Sequence, residues 1–251
     1  MTAGRGRIIA IASGKGGVGK TWLAITLSQA LAHRGRRVLL ADGDFGLANV
    51  DVQLGLRPER DMLSVLAGRV PFGQAVIRHE AAGFDVLPGR SGSGTVGALS
   101  EEAVERVRVL LEDAARGWEV VVLDLGAGID PATRRMAALA DLLLVVTTSE
   151  PTSLTDAYAV LKLHDRDHPG GDARIVVNQA RDDAAGRRTA ATLQHACTTF
   201  LRRDVPLAGV LRRDERVAEA IGRQMPLLTR HPASPAAADV EALARRLMPG
   251  S

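Results

Sequence analysis

A chain of 251 residues, 46% of them hydrophobic, is long enough to bury one large core. Its formal charge of +3, from 32 basic and 29 acidic side chains, excludes a basic tail of the kind that grips nucleic acid. A lone cysteine, Cys197, excludes an intrachain disulfide and any paired-cysteine metal site, which fits a cytosolic setting.

The first predicted element is a strand, RIIAIAS (7–13). No charged-then-apolar leader precedes it, and the longest apolar runs are far too short to span a bilayer. Directly after it comes Gly14-Lys15-Gly16-Gly17-Val18-Gly19-Lys20-Thr21, followed by Trp22 and a helical pattern over 21–34. This is G-x-x-x-x-G-K-[ST] between a strand and a helix, the context that a phosphate-binding loop requires. Glycines let backbone N–H groups crowd round a triphosphate, and the helix N-terminus adds partial positive charge. Lys20 would bridge the β- and γ-phosphates and Thr21 would ligate Mg²⁺. Lysine is otherwise nearly absent: 29 of the 32 basic residues are arginine, and the third lysine is Lys162. A compact ammonium is therefore wanted at both 15 and 20.

A second strand (37–42) opens the segment LLADGDFGLANVDVQLGL (39–56). Asp42 and Asp44 fall at the strand's carboxyl end, where ligands gather in open parallel sheets. Beside a triphosphate two carboxylates would serve magnesium or water; otherwise they are solvated turn residues. Residues 57–82 read as loop with one or two short helices, 84–89 as a strand and 89–97 as a Gly/Ser loop. A helix over 101–116 leads to the strand EVVVLD (119–124), whose last residue, Asp124, would hold Mg²⁺ through water. Gly126 and Gly128 permit a mobile segment that senses the γ-phosphate, and Asp130 reads as the N-cap of a helix over 131–140. Strands at 142–148, 173–179 and 206–211 alternate with helices at 152–166, 186–202 and 214–222, with Cys197 a packed small hydrophobe in the second. Most of these strands are apolar throughout, the mark of burial on both faces. The pattern is repeated βα: an α/β fold with a mainly parallel sheet flanked by helices on both faces, in one domain over 1–251. The last helix (235–248) carries Val240, Leu243 and Leu247 on one face. That face either docks on the body or meets a membrane or a dimer partner.

Lys15 lies at a position the general motif leaves free, and with it the sequence resembles the deviant Walker A ATPases, which include the MinD and ParA families. The resemblance implies a P-loop ATPase that binds ATP and Mg²⁺ and hydrolyses ATP slowly with partner stimulation. In it Lys15 is the signature lysine that reaches into the partner subunit's nucleotide. Asp44 orients the attacking water within a switch that includes Asn49. Asn178 reads adenine, and Gly209–Arg213, beyond the next strand, packs backbone against it. Glu150 and Asp156, in TTSEPTSLTDAYAVLKL (147–163), would lie near the dimer face, with Asp156 a partner for Lys15; their plain alternatives are a helix-start acid and a solvated residue. Trp22 departs from the pattern, since the family usually has a second Thr there.

GLANVDVQLGL, EPTSLTDAYA, VVNQA and the ending PLLTRHPASPAAADVEALARRL look most like the FlhG/FleN type of MinD-like ATPase. That likeness implies control of flagellum number and placement in bacteria by an ATP-state homodimer. It further implies a flagellar SRP-type GTPase or basal-body proteins as partners, and a cytoplasmic protein that becomes peripheral at the inner membrane when ATP is bound. The first strand begins too early for the N-terminal helix by which some members stimulate the GTPase. A division-site MinD would share this chemistry but carry a more basic and bulkier terminal helix. A ParA-type DNA segregator needs a clustered basic surface, and the arginines here are dispersed.

Overall fold

The computed structural model describes residues 5–89 and 101–248, the side chain of Glu101 excepted. In chain order the elements are β1 (Arg7–Ser13), α1 (Lys20–His33), β2 (Val38–Gly43), α2 (Val50–Leu54), α3 (Met62–Leu66), α4 (Phe72–Ala75), β3 (Ile77–His79), β4 (Phe84–Leu87) and α5 (Glu101–Gly117). They continue with β5 (Val120–Ala127), α6 (Pro131–Ala137), β6 (Leu142–Thr147), α7 (Pro151–Asp167), β7 (Ala173–Ala180), α8 (Asp183–Ala196), a π-helical turn (Cys197–Leu201), β8 (Leu207–Arg212), α9 (Glu215–Gly222), α10 (Leu227–Arg230) and α11 (Pro235–Leu247).

The eight strands form one sheet in the order β3-β4-β2-β5-β1-β6-β7-β8, parallel throughout except for β3 against β4. Successive side chains of a strand point to opposite faces, and here both faces are covered. Ile9 and Ile11 of β1 join Leu23, Leu27, Val240 and Leu243 in one core. Ile8 and Ala10 join Leu111, Leu161, Leu193 and Cys197 in the other. Helix α1 is buried all round in the first core, so its sequence shows no polar stripe.

The fold follows the βα reading, with local differences. Strand β3 has no apolar run to announce it, because it is three residues long and only partly buried at the sheet edge. The helix read over 186–202 starts earlier, at an Asp182 cap that accepts from the Ala185 amide at 2.6 Å. It then widens into the π-helical turn and stops at Arg202, whose φ is 54°. Asp130 does cap α6, accepting from the amides of Ala132 and Thr133 at 3.0 Å. Gly209–Arg212 lie within β8 and only Arg213 follows it, so these residues do not form the post-strand segment the sequence suggested. Residues 90–97 of the Gly/Ser loop lie outside the described residues.

Helix α11 has its apolar face (Ala236, Val240, Leu243 and Leu247 among others) buried against α1 and β8. Of the alternatives for this helix, docking on the body is the one realised, and that face is not free for a membrane. Among the described residues no helix is long and apolar enough to cross a membrane.

Candidate nucleotide-binding site

The carboxyl ends of the central strands assemble the site. Strand β1 stops at Ser13, whose Oγ donates to the Lys15 carbonyl at 2.6 Å and whose carbonyl accepts from the Gly128 amide at 2.9 Å. The loop that follows is pressed onto α7 at Gly14: a Cβ there would collide with the backbone oxygen of Asp156. Gly17 and Gly19 have φ of 76° and 93°, a left-handed conformation that glycine adopts without strain. Nothing lies within 4 Å of where a Cβ would stand on Gly16 or Gly17, so the loop keeps an open concave side. No side chain caps α1, which leaves the amides of its first turn for an anion.

Lys20 begins α1 and is buried. Burial pulls its ammonium below the ordinary lysine range, while Asp124 and then Asp44 act in the opposite direction. Asp124 is 2% exposed and sits opposite Asp42 in the β2–β5 register. The Thr21 side chain lies beside the Asp124 carboxyl and acts to lower its pKa. Burial and then the neighbouring Asp42 push the Asp124 carboxyl up to about 8. Its Oδ1 is buried and has no hydrogen-bond partner. A buried carboxylate with an orphaned oxygen beside a hydroxyl and two further acids is a site that wants a cation. No group of three or more His, Cys, Asp or Glu side chains forms a metal cage among the described residues. That donor set fits Mg²⁺, which is commonly held by one or two carboxylates together with phosphate oxygens and water.

Asp42 does a different job. Its Oδ1 accepts from the Asp44 amide and its Oδ2 from the amides of Asn49 and Val50, all at 3.1 Å. It anchors the loop into α2 from below. Burial raises its carboxyl to about 6 against those three donors. Asp44 turns back on its own loop, its Oδ1 accepting from Gly46 at 3.1 Å and Leu47 at 2.9 Å. It stands against Gly126, where a Cβ would lie 3.4 Å from the Asp44 carboxylate. Asn49 is exposed at the start of α2.

Lys15 points away from its own loop. Its Nζ pairs with Glu150 and donates to Thr152 Oγ1 at 3.1 Å, both at the start of α7. Its acidic partner is therefore Glu150, not Asp156; Asp156 instead supports Gly14 through its backbone. Asn178, 4% exposed, closes the other side of the loop. Its Nδ2 donates to the Val18 carbonyl and its Oδ1 accepts from the Gln179 amide, both at 2.8 Å. That bond uses one of the two hydrogens of its amide nitrogen. Sequence reasoning missed the anchoring role of Asp42, the Thr152 contact and the Ser13 tie. The Thr152 contact has no local signal, being 137 residues from Lys15, while the Asp42 and Ser13 contacts are local but go to backbone groups that no side-chain pattern announces.

A strand, an open glycine loop, a buried lysine and a magnesium-type acid at the carboxyl edge of a parallel sheet define a P-loop nucleotide-binding protein. The chain belongs to the CobQ/CobB/MinD/ParA nucleotide-binding family, whose domain matches residues 9–227. This is a family of P-loop ATPases. The chain is 36% identical over 241 residues to the antiactivator FleN of Pseudomonas aeruginosa, covering 96% of this chain and 86% of that protein. It is 33% identical over 187 residues to the flagellum site-determining protein YlxH of Helicobacter pylori, covering 74% of this chain and 62% of that protein. Its fold matches the septum site-determining protein MinD from Pyrococcus horikoshii, solved with Mg-ADP. The TM-score is 0.77 at 26% identity, over 97% of this chain and 96% of that one.

Proposed function

We propose that the protein is a Mg²⁺-dependent ATPase that works as an ATP-gated dimeric switch setting flagellum number or placement. The observation that carries the chemistry is the buried, unpartnered Asp124 oxygen beside Thr21 and Lys20. The flagellar role rests on the likeness to FleN and YlxH across most of the chain.

In this reading the loop amides and Lys20 would hold the β- and γ-phosphates, and Thr21, Asp124 and Asp44 would hold Mg²⁺ directly or through water. Bound Mg²⁺ would neutralise charge on the phosphate oxygens. Asp44 orients a water whose oxygen attacks the γ-phosphorus. The bond from that phosphorus to the bridging oxygen breaks, ADP leaves, and the water's proton departs with the phosphate. Lys15 leaves Glu150 and completes the partner's site, and Asn178 turns its other amide hydrogen to the base. The proposed partners are a second copy of the chain and a flagellar SRP-type GTPase or basal-body protein, at the inner-membrane surface in the ATP state. DNA segregation is disfavoured because many arginines are already committed to acids, as in Arg134–Asp167, Arg203–Asp165 and Arg212–Asp239.

Light scattering with ADP and ATP tests the switch. The native protein should double its mass only with ATP. Asp44→Ala should stay dimeric with ATP and hydrolyse it about a hundredfold more slowly or worse. Equal mass in both nucleotides, or native turnover by the variant, overturns the mechanism. Deleting the gene in its host and counting flagella tests the biology; an unchanged number refutes the flagellar half.

A further inference from the structure

His164 lies in the last turn of α7, and His168 caps that helix four residues on, on the same side. Their rings stack with 5.7 Å between centroids and 17° between planes. His164 is 5% exposed, and neither of its ring nitrogens has a hydrogen-bond partner. His168 is half-buried. The chain then turns, the Gly171 amide donating to the His168 carbonyl at 3.0 Å. A Cβ on Gly171 would stand 3.1 Å from His164 Nε2 and 3.0 Å from His168 Nε2, so both nitrogens gather round one point.

A neutral imidazole carries one N–H donor and one lone pair, and at His164 both are idle. Leaving them so costs the fold their desolvation, whereas a leucine would fill the position without that penalty. The surrounding backbone is held firmly. The His168 amide donates to the His164 carbonyl at 2.7 Å. Arg203 donates to the Gly171 carbonyl and, at 2.6 Å, to Asp165. Two imidazole nitrogens at i and i+4 on one helical face are a donor pair that zinc-class cations take. The nearby acids are engaged elsewhere, Asp167 by Arg134 and Arg166 and Asp165 by Arg203. A hard cation such as Mg²⁺ wants oxygen ligands, so this pair is not a second magnesium site.

We propose that His164 and His168 form a two-histidine site for a divalent cation of the zinc class, bound through both Nε2 atoms with water in the remaining positions. A small rotation of the half-buried His168 ring brings its Nε2 to about 2.0–2.1 Å from an ion held by His164. With two protein ligands the site falls below the cages of three or more, of which the described residues have none. It lies about 20 Å along α7 from Glu150 and is separate from the nucleotide site. A bound ion would tie the end of α7 to its cap and give the idle His164 nitrogen a partner.

The test uses the full chain and Zn²⁺ alone, with Mg²⁺ in excess to occupy the carboxylates near the phosphate loop. Calorimetry should show one zinc per chain, and the melting midpoint should rise with zinc concentration. His168→Ala should hold zinc about tenfold more weakly or worse and lose the rise in midpoint. Gly171→Ala keeps both histidines but puts a methyl within 3.1 Å of both nitrogens, and it should lose zinc likewise. Both variants should keep the native far-ultraviolet circular dichroism. No zinc uptake by the native chain overturns the proposal. Native zinc affinity in His168→Ala also overturns it, because the ion then sits on other side chains. Neither result touches the phosphate-loop reading.

Discussion

Burying a histidine with neither ring nitrogen satisfied is expensive, and His164 on α7 is such a residue. It is 5% exposed, both nitrogens lack partners, and its ring stacks on His168 at 5.7 Å. Burial, then His168 and Arg203, pulls its pKa down from 6.5 to about 4, with Asp165 and Asp167 opposing. Arg134 lines the same cavity but is held by Asp167. Between these two values the unfolded chain binds a proton that the folded chain refuses. Stability therefore falls as pH drops below about 6.5 and stops falling near 4, by about 3 kcal/mol at most. His164→Leu should flatten that part of a plot of urea midpoint against pH; an unaltered slope refutes the assignment. The acids of the site carry the opposite sign. The raised pKa values of Asp42 and Asp124 mean that the folded state holds protons the unfolded state releases, so these two acids cost stability as pH rises from 3.8, a loss that ends near 6 for Asp42 and near 8 for Asp124. At this scale the sequence was informative wherever spacing alone names the residue. Lys20, Thr21 and Asp124 follow from a loop and a strand end. The Lys15 partner does not, because Glu150 lies 135 residues away and only the crossing of α7 beneath the loop brings the two together.

At the scale of elements, legibility tracked burial. Strands β1, β2, β5 and β6 are buried along almost their whole length, and a run of Val, Leu, Ile and Ala cannot be read otherwise. Strand β3 and helix α10 are short and locally unmarked, and tertiary contacts decide them: β3 is specified by its ladder with β4, and α10 by burial of Leu227 and Leu228 against the first core. Helix α2 was hidden because its anchor lies outside it. It begins where the Asp42 carboxylate gathers the amides of Asn49 and Val50, so its start is written in a strand residue and not in its own first turn. An element anchored this way can be repositioned by whatever competes for that carboxylate. Switch segments are drawn from the less stable parts of a fold, and α2 is five residues long with Val52 exposed. Helix α11 argues the converse. Its sequence is amphipathic enough to suggest a surface, yet it packs its small residues, Ala236, Ala237 and Ala244, close against α1 and β8. Few bulky apolar residues meant a close helix contact here, where the same pattern could have meant weak membrane binding.

For the whole molecule the question is how a protomer alone is kept from acting on its nucleotide. Lys15 is paired in its own chain with Glu150 and Thr152, so under the proposed dimeric switch its ammonium would be held at the α7 start until a partner arrives. Both side chains are substantially exposed, which keeps the latch weak: pairs of this kind are worth about 0.2–1 kcal/mol. Two latches open for each dimer formed. Glu150→Ala should therefore tighten dimerisation with a hydrolysis-resistant ATP analogue by about twofold to thirtyfold, with nucleotide affinity of the protomer unchanged. Sedimentation over a concentration series measures this directly. If dimerisation weakens instead, Glu150 makes a contact across the interface that outweighs its hold on Lys15, and the latch reading is wrong. A weak latch is also what a switch requires. A stronger one would demand more binding energy from the nucleotide than a lysine on a triphosphate could return, and the protomer would stay shut at any ATP concentration.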